Sequence, residues 1–576
     1  MNSAAPGVAR ESAQLPLSVV GAVAFALALR LIHLSSAVVS PLSFQLGPDE
    51  DYYFRFGRAV AAGVGQNSPE FTFMDPGYGY LLGGLFKLFG PGVFTIFALQ
   101  CLLDAVTALG IVMIGRQINR PRAGLAGAIL YALSSTAIMF CCSVLKEVWV
   151  TAFTTWWVVI ALNVLRSERR LPWLAFGIFC GAGVAFRSTI ALMALAALCL
   201  PFLSGLAPIK PLRARSARAG LLALGCALAL APWSIRNFSA YGSVSPLPHN
   251  GGIVLHQVYN SENTDSSIWI PQFVNYLNPS EIWRGYAAEA ERRAGRQLTP
   301  PQIDGYWKSQ ALDFMRQNPG AVMRDVGRKA LKFFASAEIP INRSLQEEGN
   351  FSPLIGVLPG PAPWLLAMGF CGLIWLSRED KRWPIVALPI AIALLTSMLF
   401  WAEDRFRFHA LGALALCSGV WIDNLVQRIR LRQARPAALF AVLAAVLFGT
   451  SLALGATVPP SALHWDQIVW GYIKMGRPKQ AQNIAERVAR EQPDSAPMLE
   501  ALGYLAVMRH DFAAAASSYR QALVLRPRSD QAHFNLAKVY LELNDRDRAR
   551  EQAKIAASLK PDPDYERLVA ELTSAP

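Results

Sequence analysis

An α-helical polytopic membrane body of about eleven transmembrane helices, followed by a C-terminal all-α repeat solenoid, is the fold class predicted by three features of this 576-residue sequence. Hydrophobic residues make up 53% of the chain and charged residues 16%, with a mean hydropathy of +0.30. A single water-soluble globule does not have that balance. Eleven apolar runs each approach the roughly 20 residues needed to cross a bilayer core. Beyond the last of them, Pro493, Pro527 and Pro561 recur every 34 residues.

The apolar runs lie at about 16–37, 91–115, 122–142, 147–165, 171–187, 189–207, 218–235, 354–376, 384–401, 408–426 and 436–458. Charge orients them. The chain has 54 basic and 40 acidic residues, a net charge of +14. Five short turns, Arg116–Arg122, Arg166–Arg170, Lys210–Arg218, Arg378–Arg382 and Arg428–Arg435, together carry a charge equal to that whole excess. With all five in the cytoplasm, the number of spans is odd, the N-terminus lies inside and the C-terminus outside. Tyr78–Phe89 is apolar but short and stops at Gly90-Pro91-Gly92. It is expected to lie at the interface, because counting it as a span would turn Arg116, Arg120 and Arg122 outward. The first apolar run leads directly into the membrane body, so no cleavable signal is expected.

This assignment leaves two large outside segments, about 40–90 and 237–350, within a membrane domain of residues 1–458. The second contains helical pieces at Glu281–Arg296 and Ile303–Phe334, separated by Gly-, Pro- and Asn-rich stretches. A small, mostly helical outside domain is expected there.

The tail, 459–576, has the period of paired-helix tetratricopeptide repeats. Ala481, Ala515 and Ala549 share one register, as do Leu502-Gly503 and Leu536-Ala537. Three repeats are the minimum for a stack in which each unit buries its apolar face on a neighbour. Such a stack offers a groove for a protein partner, or serves only to cap or dimerise the membrane body. From Pro460 onward there are 16 basic and 15 acidic residues, so the tail has no basic footprint and nucleic acid is excluded as a partner.

All eight cysteines lie within apolar stretches and show neither a disulfide framework nor zinc spacing. The vicinal pair Cys141 and Cys142 reads as packing. Asp104, inside the second run, must face a cavity or a polar partner. His249 and His256 lie in the second outside segment without accompanying carboxylates. The sequence shows no metal-ligand pattern and no evident cofactor; a divalent cation is compatible with it but not indicated.

The chemistry centres on Gly47-Pro48-Asp49-Glu50-Asp51-Tyr52, three acids in a row just after the first span. Proline followed by carboxylates is a good helix start. Adjacent carboxylates at a membrane boundary also supply a general base for a hydroxyl or amine within hydrogen-bond reach. Arg187, Arg236, Arg405 and Arg407 fall near the outer ends of runs, where arginine either contacts lipid headgroups or uses its planar donors on a phosphate. Tyr52, Tyr53, Trp233 and Trp401 suit a sugar site or an interfacial anchor equally.

The order of these passages resembles the GT-C class of polytopic glycosyltransferases, in particular the protein mannosyltransferase and lipid A aminoarabinose transferase family. Pro48-Asp49-Glu50 with Tyr52 and Arg58 is similar to that family's first-loop Asp-Glu motif, which implies Asp49 as the base beside Glu50. Asp75-Pro76-Gly77-Tyr78 is similar to its Lys-Pro-Pro segment, with Asp75 where the aminoarabinose transferase has a phosphate-binding lysine. Glu147 in Leu145-Lys146-Glu147 matches a second acidic position. Pro232-Trp233-Ser234-Ile235-Arg236-Asn237, with Asn250-Gly251-Gly252, resembles the start of its large outside loop, and Glu403-Asp404-Arg405-Phe406-Arg407-Phe408 its late Arg-aromatic-Arg segment.

The resemblance covers about 16–430. It implies a polyprenyl-phosphate sugar donor, a glycan, lipid or protein acceptor on the outer (periplasmic) face of a bacterial inner membrane, and inverting transfer. Asp49, Glu50 and Glu147 are then the catalytic candidates; Arg405, Arg407, Arg236 and Arg187 the phosphate contacts; and Tyr52, Arg58 and Asp75 the acceptor or sugar side. Other readings compatible with the topology are a transporter or flippase of lipid-linked sugars, an oligosaccharide polymerase or ligase, and a scaffold whose repeats recruit partners. A transporter would predict inverted repeats with broken helices in matching halves, and the sequence contains no such pair.

Overall fold

A computed structural model describes residues 6–203, 206, 211–263, 268–274, 278–340, 342–358, 360, 362–458, 464–560 and 562–574. Lys210 of the third basic turn, the 459–463 junction and Pro561 of the repeat register lie outside them. Among the described residues every regular element is helical. The chain forms two compact units, Met1–Val38 with Pro48–Ser461, and Val39–Gly47 with Ala462–Pro576.

In the first unit, six helices are long and apolar enough to cross a membrane: Leu17–Ala37, Val93–Gln117, Glu147–Val164, Leu212–Tyr241, Asp404–Arg430 and Ala434–Gly455. Pro121–Ala132 and Ser135–Cys141 make a seventh if the pair, bent by 61°, counts as one span. The bend falls at Ser134, whose hydroxyl caps the second helix by accepting from the Ala137 N–H at 3.3 Å. Three of the other apolar runs form shorter helices, Leu171–Phe186, Ser188–Phe202 and Trp383–Leu399, and the run 354–376 forms the short Pro353–Val357 and the 18-residue Ala362–Glu379, which ends in Arg378 and Glu379. Pro76–Phe89 is a short helix of 14 residues ended by Gly90 at φ 78°. Only glycine takes that conformation without strain.

The packing separates inner from outer helices. Glu147–Val164 and Asp404–Arg430 are 72% buried along their most apolar window, whereas Leu212–Tyr241 and Ala434–Gly455 are 17% buried, as helices facing lipid should be. Leu171–Phe186 and Leu212–Tyr241 meet through glycine at both sides. A Cβ on Gly177 would lie 2.1 Å from the Leu222 carbonyl oxygen, and one on Gly225 2.2 Å from that of Leu174. Small residues at such crossings let backbones approach, and dispersion then holds the pair in lipid. Asp104 is deeply buried and meets the Nε of Arg30 at 2.6 Å, with the Tyr131 hydroxyl also donating to it. The acid thus has a polar partner, as expected of an ionisable group at that depth.

The segment 237–350, expected to lie outside, is a helical subdomain built around Trp283, Tyr286, Ile303 and Trp307. The helix expected over 281–296 spans Pro279–Ala294. The stretch expected as one helix over 303–334 is two, Pro300–Gln317 and Pro319–Phe334. Pro319 lacks the N–H that an unbroken helix requires and its ring opposes the preceding turn. Gly252, in the helix Gly251–Val258, sits against the helix Pro300–Gln317 so closely that a Cβ would lie 1.9 Å from the Asp304 carbonyl oxygen. Gly252→Ala is expected to lower the stability of this subdomain by about 1–3 kcal/mol, the usual result of overpacking. Thermal unfolding of the purified protein checks it.

The second unit contains three helix pairs, Trp465–Lys474 with Pro478–Glu491, Ala496–Met508 with Phe512–Leu525, and Asp530–Glu542 with Arg546–Leu559, closed by Pro563–Ser574. Ala481, Ala515 and Ala549 are fully buried. Gly503 lies under the Tyr519 ring, which would approach a Cβ to 2.9 Å. The tight turn within each pair repeats as well: Gly476, His510 and Asn544 have φ of 69°, 59° and 58°. Two non-glycine residues therefore occupy a left-handed position. His510→Gly is expected to stabilise this unit by about 1 kcal/mol, the order of the left-handed penalty it relieves; no rise in its melting temperature would show that His510 is not strained. The segment Val39–Gly47 belongs to this unit, its short helix Pro41–Phe44 lying so close to Trp465–Lys474 that a Cβ on Gly471 would meet the Pro41 carbonyl oxygen at 2.1 Å.

Candidate active site

Asp49 is the second residue of the helix Pro48–Ala62 and lies at the wall of a cavity of about 590 Å³. Its carboxylate accepts from Asn342 Nδ2 at 2.9 Å and from Arg405 Nη1 at 2.5 Å. Its backbone N–H donates to Asn342 Oδ1 at 3.1 Å. The side chain is thus held on two sides and keeps 8% exposure toward the cavity. Arg405 starts the helix Asp404–Arg430 and is shared. Its Nε also pairs with Glu403, so one guanidinium bridges two carboxylates. Burial, with the Asp49 charge adding and Arg405 opposing, pushes the Glu403 carboxyl up to about 7.

The neighbouring acid has a different environment. Glu50 is fully buried and accepts from the Val144 N–H at 2.9 Å and from Arg343 at 2.9 and 3.1 Å; Arg343 in turn pairs with Glu348 at 2.7 Å. Each residue along a helix is rotated about 100° from the one before, so Asp49 meets the cavity and Glu50 the core.

A second cluster lines the same cavity. Asp75, just before the helix Pro76–Phe89, pairs with Lys146 and accepts from the Ser188 N–H at 3.1 Å and from the Ser188 hydroxyl. A lysine therefore does stand beside position 75, brought there from another element. Burial holds the Lys146 ammonium below the usual lysine range, and Asp75 opposes that fall. Arg187 lines the cavity too, donating to Glu147 at 3.1 Å and lying over the Phe406 ring. Glu147 itself is buried behind Arg187, and one of its carboxylate oxygens has no hydrogen-bond partner among the described residues.

Asp49, Asp75, Arg187 and Arg405 thus share one cavity, with Lys146, Ser188, His249 and Trp401 also in its wall. Other sequence candidates lie elsewhere. Arg407 donates to the Lys332 and Ala335 carbonyls at 2.9 Å each, pairs with Asp404 at 3.3 Å and faces a separate small cavity. Two residues on from Arg405 along a helix, it points to the opposite side. Arg236 reaches the Gln66 carbonyl at 2.9 Å, bracing the first loop. Tyr52 is fully buried, its hydroxyl donating to the Glu70 carbonyl at 3.1 Å and accepting from the Met74 N–H at 3.3 Å. Arg58 is exposed, and Arg58, Tyr52, Glu50 and Glu147 do not line the cavity.

Sequence reasoning missed Asn342, Arg343, Lys146 and Glu403. Lys146 and Glu403 were at hand within the quoted motifs; Asn342 and Arg343 carry no local signal. Among the described residues no group of His, Cys, Asp and Glu could hold a metal ion. His256 packs against Trp307 with ring centroids 4.5 Å apart.

A helical membrane body with a charged cavity, joined to a repeat tail, is the class of protein these features define. Residues 70–235 match the family model described as dolichyl-phosphate-mannose-protein mannosyltransferase, and residues 506–572 match a tetratricopeptide repeat model. No curated protein matches the chain. Among solved structures it is similar to the archaeal oligosaccharyltransferase AglB from Archaeoglobus fulgidus in complex with an inhibitory peptide and a dolichol-phosphate. The two are 16% identical, covering 80% of this chain and 58% of that one, with a TM-score of 0.42. The apo form of the Archaeoglobus fulgidus oligosaccharyltransferase gives 16% identity, 79% and 57% coverage and a TM-score of 0.43. This chain therefore spans less than two thirds of the length of those enzymes. Yeast Tom70 is 13% identical, covering 82% of this chain and 96% of that one, with a TM-score of 0.17.

Proposed function

We propose that the chain is a membrane glycosyltransferase that moves a sugar from a polyprenyl-phosphate donor to an acceptor on the outer face, with inversion and with Asp49 as general base. The observation that carries this reading is the meeting of Asp49 and Arg405 at 2.5 Å on the wall of a 590 Å³ cavity. The match of residues 70–235 to a family described by a lipid-phosphate sugar supports it.

Asp49 takes the proton from the acceptor hydroxyl or amine as that atom attacks the anomeric carbon. The bond to the phosphate oxygen breaks, and the lipid phosphate leaves with the electron pair. Arg405, Arg187 and Lys146 offset the charge that gathers on the leaving oxygen, and the cavity wall orients the two substrates. Glu147 positions Arg187; Glu50 holds the loop through Arg343. Incubating the purified protein with labelled polyprenyl-phosphate sugars and candidate acceptors tests the reading, and consumption of none of them would favour a transporter or a scaffold.

Glu403 adds a pH signature. Its folded value of about 7 lies above the ordinary carboxylate value, so it is neutral below about pH 7 and leaves Arg405 to Asp49 and the donor. As pH rises through 7 the ionised Glu403 competes for Arg405. The donor KM is expected to rise between about pH 6 and about pH 8 in the wild type and to stay flat in Glu403→Gln. An unchanged profile in the variant removes Glu403 from donor binding.

The reading places the N-terminus in the cytoplasm, eleven spans within residues 1–458, and the 459–576 tail outside, where its repeats bind a protein partner. The reading of the tail as outside is supported by the segment Val39–Gly47, which directly follows the first apolar helix in the chain and belongs to the tail's own unit.

A further inference from the structure

The outside subdomain carries a second concavity, a groove of about 660 Å³, bounded by the helix Pro300–Gln317 and the strap Trp269–Phe273. Gln310, Asp313, Phe314 and Gln317 recur at three- and four-residue spacing and so present one face of that helix to it. Opposite them stand Trp269 and Gln272. Trp269 is half-buried, its ring edge meeting His256 at 5.9 Å. Among the described residues no hydrogen bond or ion pair engages the side chains of Gln272, Gln310 or Gln317.

The charged groups at the rim are Arg293, Asp313 and Glu262, and the one cation among them is already matched. Arg293 pairs with Glu289 at 2.6 Å and Asp313 with Arg316 at 3.3 Å. An anionic ligand therefore has no uncommitted cation to meet there. Nor is there a sheet edge among the described residues with which a peptide backbone could pair.

Unpartnered carboxamides beside an aromatic face are complementary to a neutral sugar. Each carboxamide offers a donor and an acceptor in one plane, which vicinal hydroxyls satisfy together. The ring receives the apolar C–H face of the pyranose.

The groove also adjoins the reaction cavity. Val254 and Gln257 line that cavity, whereas His256 and Tyr259 line the groove, so the helix Gly251–Val258 and its end form a shared wall about one helix diameter, roughly 10 Å, thick. Ile268 and Trp269 divide between the two in the same way.

We propose that this groove binds a neutral oligosaccharide, the non-reacting sugars of a glycan acceptor whose terminal residue passes the Gly251–Val258 helix to reach Asp49. The binding site stands on the groove alone; the word acceptor rests on the transferase reading. The test uses the full-length protein in lipid nanodiscs free of glycoside detergent. Saturation-transfer NMR is recorded with cellotetraose, chitotetraose, mannotetraose and maltotetraose, and with an uncharged polar peptide as competitor.

At least one tetrasaccharide should bind. Its affinity should fall at least tenfold in Trp269→Ala and in the Gln310→Ala, Gln317→Ala double variant. The exposed glutamine pair carries the test should Trp269→Ala fail to fold. Binding of none of the four, binding indifferent to the groove variants, or displacement by the peptide overturns the proposal. Retained turnover in Asp49→Asn with groove binding intact would instead remove the base and leave the groove standing.

Discussion

Asp49→Asn should leave the protein folded and lower sugar transfer by about 10²- to 10⁴-fold, the usual share of a general base. The substitution is nearly isosteric. Asn342 can still hold the side chain, and Arg405 keeps Glu403 as a partner, so no buried charge is left alone. What disappears is the one cavity-facing carboxylate oxygen pair able to accept a proton beside Arg405. Turnover of labelled donor, read alongside a melting curve, checks both halves of the expectation. Near-normal transfer would remove Asp49 from the chemistry; loss of folding would mean that its ion pair with Arg405 is chiefly structural.

The largest stability effect is expected at Arg343. Its side chain is 2% exposed and lies between Glu50 and Glu348, themselves 0% and 2% exposed. Burying a carboxylate is tolerable only while a cation and hydrogen bonds accompany it. Arg343→Met removes the cation from both acids and should destabilise the membrane unit by about 3–5 kcal/mol, the range for breaking a buried pair. Adding Glu50→Gln and Glu348→Gln should restore much of that loss by removing the stranded charges. The measurement is the fraction of monodisperse protein surviving a heat step for wild type, single and triple variants. A single variant as stable as wild type would show that water reaches the network. Because Glu50 lies in the same helical turn as Asp49, a triple variant that folds but turns over slowly would further show that this network sets the pose of the base.

Much of the fold was legible because membrane helices and repeat helices both write their constraints locally. A span must be apolar over its whole length, since lipid offers no partner to a backbone or a charge, and the apolar runs are helical over most of their described residues, six or seven of those helices being long and apolar enough to cross a membrane. The 34-residue register became buried alanines and repeated left-handed turns for an equally local reason. The boundaries that moved did so at Ser134 and Pro319, where a cap and a missing N–H interrupt a run whose hydropathy alone looks continuous.

The candidate site was legible only in part. Asp49, Asp75, Arg187 and Arg405 come together in one cavity, but the motif that contains Arg405 also contains Arg407, and composition cannot tell which of two arginines faces inward. Helical geometry could have done so, since residues two apart never share a face. The same rule separates Asp49 from Glu50. Asn342 and Arg343 were out of reach of any such rule. They lie 293 positions from the acids they hold, and nothing near them in the chain marks them.

By itself the amino-acid order determined that this protein has an apolar helical body, a repeat tail, and a set of ionisable groups too expensive to keep near lipid without a purpose. Only the tertiary structure decided which carboxylate each guanidinium answers, because that depends on the angle at which distant helices cross. It likewise decided that residues 39–47 join the tail's unit and that the helical subdomain around Trp307 carries its own groove. Burial is a property of the whole chain at once, and a charge finds its partner across hundreds of residues only when the packing brings both out of water together.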